Sequence, residues 1–151
     1  FAQYWIERNP SDPYTGWKEY EKKLEEVNRL FSCPKQKGMD TDRGRVYLQY
    51  GPPNQRTERK SDPVALPYEI WWYYTLEDQQ NLGTIRQRNA KFLFCNKEVS
   101  NCDYQLIHST AMGELNNPQW KSEIFRRNLN GNTSGNDNES IRLIENTLNN
   151  N

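Results

Sequence analysis

The run Tyr68-Glu69-Ile70-Trp71-Trp72-Tyr73-Tyr74 restricts what this chain can fold into more than any other stretch. Side chains alternate along a strand, so Tyr68, Ile70, Trp72 and Tyr74 share one face, and Glu69, Trp71 and Tyr73 share the other. Aromatic groups on both sides predict a central strand, and burying both faces requires a helix layer. Hydrophobic residues make up only 34% of the 151, yet aromatics reach 13%. Rings must therefore supply much of the buried area. The cluster Trp71, Trp72, Tyr73 and Tyr74 is accordingly expected in the core; were one face exposed, it would form a stacking platform for a glycan, with Trp71 and Tyr73 as the binding rings.

Other strands follow. Ala90 to Cys95 alternates, with Phe92 and Phe94 against Lys91 and Leu93, and Tyr104 to Ser109 is a further short strand. The polar segment from Glu77 to Asn89, with Gly83, has the character of a hairpin connection. The run from Gly38 to Pro53 reads as a turn, a strand and a stop. Gly38 and Gly44 offer unusual backbone angles, and Asp40, Thr41 and Asp42 can bond nearby amides. Val46, Leu48 and Tyr50 alternate with Arg45, Tyr47 and Gln49, and Gly51, Pro52 and Pro53 end the ladder. Asn54 to Asp62 is polar, without apolar period, and reads as an exposed loop. The predicted class is α+β: a short antiparallel sheet of three to four strands, helices packed on one face, and a flexible C-terminal tail ending in a short helix.

Helices are marked by their caps. Phe1, Tyr4 and Trp5 begin a short helix that stops at Asn9-Pro10, and Ser11-Asp12-Pro13 starts a longer one reaching Phe31. Trp17, Tyr20, Leu24, Val27 and Phe31 form its apolar stripe, opposite a solvated charged face. Asn117-Pro118 opens a helix carrying Trp120, Ile124 and Phe125. The expected organisation is a domain over 1–129, an Asn/Gly/Ser-rich flexible linker over 130–140, and a terminal helix over 141–151. Ile141, Ile144 and Leu148 line one side of that helix, which docks either on its own domain or on a partner or further domain of a longer parent chain.

Twenty Lys and Arg balance 20 Asp and Glu, which argues against nucleic acid and against an anionic membrane. No apolar run approaches a membrane helix, so direct insertion is not expected. The chain starts at Phe1 with neither signal peptide nor initiator Met and is read as a processed or excised piece. Cys95 and Cys102 flank a hairpin loop and can either close it as a disulfide or stand as two reduced thiols, with Cys33 unpaired in both cases. Their spacing and the lone His108 do not suggest a metal site. Asp40, Asp42 and Glu69 are read as turn caps and as a partner for Arg43 or Arg45 rather than as an acid–base pair. No nucleophile signature, phosphate loop or cofactor motif occurs. These residues point away from an enzyme and toward a binding module.

The ordered pieces Tyr4-Trp5-Ile6-Glu7-Arg8-Asn9-Pro10, Gly38-Met39-Asp40-Thr41-Asp42-Arg43-Gly44, Tyr50-Gly51-Pro52-Pro53 and Pro67-Tyr68-Glu69-Ile70-Trp71 resemble the GWxTD domain family of Bacteroidota. Met39 stands where the family has tryptophan. The resemblance covers about Phe1 to Thr110 and implies a cell-envelope protein, periplasmic or associated with the outer membrane, that acts through protein partners, with no activity to carry over. Locally, Thr41 through Gly51-Pro52-Pro53 to Trp72 and Tyr74 is also similar to the Gly-x-Pro turn and Trp-x-Tyr strand of small outer-membrane-assembly lipoproteins.

Overall fold

The computed structural model describes residues 2–62, 64–78, 86–98, 102–125 and 137–150. A four-stranded antiparallel sheet runs in sequence order: β1 (Gln55–Arg59), β2 (Tyr68–Glu77), β3 (Arg86–Cys95) and β4 (Gln105–Ser109). Its helices are α1 (Ala2–Arg8), α2 (Pro13–Phe31), α3 (Asp42–Tyr50), α4 (Trp120–Ile124) and α5 (Asp137–Asn149). The aromatic run lies in β2, inside the sheet, as its two-faced pattern requires.

The two faces have separate cores. On one, Val27 and Phe31 of α2 and Val46 and Tyr50 of α3 pack on Trp71, Tyr73, Phe92 and Phe94. The Trp71 ring lies 4.9 Å from that of Phe94 and 5.6 Å from that of Phe31. On the other, Ile70, Leu93, Cys95 and Ile107 meet Trp120 and Ile124 of α4 and Ile141, Ile144 and Leu148 of α5. Helices thus pack on one face as expected, and the opposite face is covered as well.

Helix α2 begins where its cap predicts: Asp12 accepts the Thr15 amide at 3.1 Å, and Pro13 occupies the first turn. The expected strand at Arg45–Tyr50 is instead helix α3. Val46, Leu48 and Tyr50 alternate, but Arg43, Val46, Tyr47 and Tyr50 also recur at helical spacing, and over so few residues the ends decide. Thr41 Oγ1 accepts the Gly44 amide at 3.0 Å as an N-cap. Gly51, at φ 83°, gives its N–H to Tyr47 O at 2.8 Å, the left-handed stop that favours glycine.

The expected loop over Asn54–Asp62 contains β1, paired with β2 through Thr57 opposite Ile70 and Glu58 opposite Glu69. All five of its residues are exposed. Charges and lack of apolar period suit an edge strand and hide it from pattern reading.

The terminal helix starts at Asp137, within the segment read as linker. The rest of that reading, 130–136, lies outside the described residues. Ile141, Ile144 and Leu148 are buried on the sheet. The stripe therefore docks on its own domain and is not a free binding surface. Lys91 completes the joint: buried at 1% exposure, its Nζ donates to Leu148 O at 3.2 Å and to Asn150 O, and sits 4.7 Å from the Trp72 ring centroid. A cation at carbonyls ending a helix offsets the negative end of the helix dipole.

Candidate functional site

The segment Gly38–Gly44 joins α2, α3 and the sheet. Gly38 and Gly44 are needed for space and not, as the sequence suggests, for unusual backbone angles; their φ values are not positive. A Cβ on Gly38 would lie 2.2 Å from Val27 O, and one on Gly44 would lie 1.7 Å from Gly38 O. Two backbone segments touch there, and only glycine permits it.

Thr41 is 2% exposed and works twice, accepting the Gly44 amide and donating its hydroxyl to Gly38 O at 2.7 Å. Asp42 Oδ2 accepts the Leu106 amide at 2.7 Å and ties the first turn of α3 to β4. Thr41 therefore caps the helix, whereas Asp42, expected with Asp40 to cap the turn, reaches the sheet instead. Gly51 O accepts the hydroxyl of buried Tyr73 at 2.8 Å, which anchors the Gly51-Pro52-Pro53 turn to β2. Desolvation holds that phenol far above its ordinary pKa, so Tyr73 stays a donor.

Glu69 is fully buried. It meets Arg43 at 3.1 Å, as one of the sequence alternatives expected, and is also bonded by Arg56 and by the Trp71 indole N–H. Arg43 donates to Cys102 O at 3.0 Å, and its guanidinium lies 4.4 Å from the Tyr104 ring centroid. Arg45 pairs with Glu114 at 2.8 Å, and Tyr50 donates to the same carboxylate at 2.7 Å. Arg56 and Glu114 were not legible in advance, since no periodicity marks a long-range partner of a single charge. The buried carboxylate is filled by donors from three sides, which suits a structural joint better than a proton-transfer site.

Cys102 is joined to Cys33, not to Cys95. Cys95 is buried in the α4–α5 core, with its thiol pKa pushed up to about 11 by burial, while Cys33 follows α2 on the other side of the sheet. Proximity in sequence gave no guide to proximity in space. Trp71 and Tyr73, at 0% and 2% exposure, form core and no open platform.

His108 accepts the Asn117 amide on Nδ1 at 3.0 Å and stacks on Trp120, and burial lowers its pKa. With Lys121, Glu145 and Leu148 it lines a shallow cavity of about 220 Å³. Lys121 and Glu145 are paired with each other, and the Thr110 hydroxyl accepts the Lys91 amide at 2.9 Å. Among the described residues no cluster of His, Cys, Asp or Glu is arranged to hold a metal, and no helix is long and apolar enough to cross a membrane.

Within the segment that joins α2 to α3, the side chains of Thr41 and Asp42 point to internal partners, while Met39 stands 38% exposed, its amide held by Asn28 Oδ1 at 3.0 Å. A family model described as the GWxTD domain matches residues 1–124. No curated protein and no solved structure matches the chain.

Proposed function

The chain belongs to the GWxTD domain family, and we propose that it is a non-catalytic protein-interaction or assembly module of a Bacteroidota cell-envelope protein. The observation that carries this reading is the division of labour in the family motif. Gly38, Thr41 and Asp42 are spent on backbone contact, helix capping and a strand amide, whereas position 39, where the family has a ring, lies at the surface. A fixed fold that presents one apolar side chain from a rigid turn suits contact with another protein. The Cys33–Cys102 disulfide supports an oxidising compartment such as the periplasm.

Burial takes Trp71 and Tyr73 out of the aromatic cluster on which a glycan-binding alternative rests, leaving half-buried Trp72 and Tyr74, at 45% exposure, as the accessible rings of that run. The test is site-specific photo-cross-linking from position 39 in the native envelope. A discrete cross-linked protein, absent when the probe stands at position 22 on the solvated face of α2, supports the proposal. Saturable binding of cell-wall fragments, lost in Tyr74→Ala, with no cross-linked protein, would overturn it.

A further inference from the structure

The sheet has two edges, and they differ. At β4 the outward amides are already used: Leu106 N–H goes to Asp42 Oδ2 at 2.7 Å and Ser109 N–H to Leu115 O at 2.7 Å. Beyond β1 no strand follows among the described residues, and every residue from Gln55 to Arg59 is exposed. An open row of backbone donors and acceptors is a template for another strand.

The side chains indicate which strand. The register sets Glu58 directly opposite buried Glu69, and Arg56 shares that face. Two like charges opposed across a strand pair are unfavourable. Arg43 and Arg56 compensate Glu69, but Glu58 has, among the described residues, only the Lys60 ammonium at 3.6 Å, on a side chain 73% exposed. A strand added outside β1 that placed a cation opposite Glu58 would correct this. The sequence Gln55-Arg56-Thr57-Glu58-Arg59 does so for itself: paired antiparallel about Thr57, Arg56 of each copy faces Glu58 of the other, and Gln55 faces Arg59.

We propose that β1 pairs antiparallel with β1 of a second copy about a twofold axis at Thr57, making one continuous eight-stranded sheet. This deepens the interaction reading by naming a surface and a partner. The contact is isologous, so it closes at two chains. Five residues per copy bury less than a standard interface of roughly 1,600 Å², so the dimer is transient and forms at high protein concentration.

Sedimentation of the intact chain is the first measurement. Its apparent mass should rise from 18.0 kDa toward twice that value as concentration increases. Glu58→Lys sets like charges opposite each other twice and should weaken association by at least ~10-fold. Should that variant fail to fold, Thr57→Cys carries the test, since the two thiols meet at the axis and mild oxidation should link the chains, whereas Gln55→Cys should not link. A mass that stays at 18.0 kDa up to about 1 mM with no Thr57→Cys cross-link would overturn the proposal. So would a dimer indifferent to Glu58→Lys, which would place self-association on another surface. Either failure leaves the interaction reading standing, because a monomer can still hold a different protein at position 39.

Discussion

Replacing both Cys33 and Cys102 by serine should destabilise the protein more than most single core substitutions. The bridge joins positions 69 apart in sequence. In the chain-entropy account, opening a loop of that size returns about 4 kcal/mol of conformational freedom to the unfolded state, against roughly 2.4 kcal/mol for the short Cys95–Cys102 loop. At roughly 2–4 °C per kcal/mol for a domain of this length, Tm should fall by roughly 8–16 °C. The bridge also holds Cys102, whose carbonyl accepts Arg43 at 3.0 Å, so the loss should not be smaller than the entropic figure. Differential scanning calorimetry of the double variant beside the oxidised parent gives the shift, and peptide mapping of the unreduced parent gives the linkage. A shift below about 2 °C would refute the reasoning. A mapped Cys95–Cys102 pair would refute it equally.

Gly44→Ala should cost about 3 kcal/mol or more in chemical denaturation, because its Cβ would lie 1.7 Å from a backbone oxygen that no side-chain motion can clear. Ile144→Ala, at a position with 0% exposure, should cost about 2–5 kcal/mol; a loss below about 0.5 kcal/mol would show that α5 is not docked as described. The single His108 has a folded pKa lowered by burial, so near its unfolded pKa of about 6.5 the unfolded chain binds more protons than the folded one. Its contribution is therefore present above that pH and is lost as pH falls through the window beneath it. His108→Gln should flatten the slope of unfolding free energy between about pH 7 and 5, which urea titrations at several pH values would read.

The sequence was most informative where a pattern ran long enough to exclude its rival. Helix α2 repeats its stripe from Trp17 to Phe31 and has a cap, and β2 carries rings on both faces, so both were legible. Helix α3 was not, because the alternation of Val46, Leu48 and Tyr50 fits two periods, and the deciding signals, Thr41 before it and Gly51 after it, also suit a turn and a strand end. Strand β1 has no apolar residue to betray it; it forms because β2 offers an edge. The disulfide and the Arg56–Glu69 pair depend on the meeting of distant segments, on which local spacing is silent. The glycines of the motif are needed because two backbones crowd there, and such crowding leaves no mark on a single sequence.

We propose that the motif and its buried carboxylate form a structural joint and not a reaction centre, and unfolding free energy tests that choice. Catalytic groups are held at a cost to stability, so replacing them leaves a fold as stable or more so. A joint behaves oppositely. Thr41→Ala removes a helix cap and should cost about 1–2 kcal/mol, and Glu69→Ala leaves Arg43 and Arg56 without their shared buried partner and should cost about 3–5 kcal/mol. The measurement is guanidinium unfolding of these variants and Asp42→Ala beside the parent. The account predicts a loss in all three, largest for Glu69→Ala. Unchanged or increased stability in Asp42→Ala and Glu69→Ala would contradict it and mark those carboxylates as groups kept for chemistry.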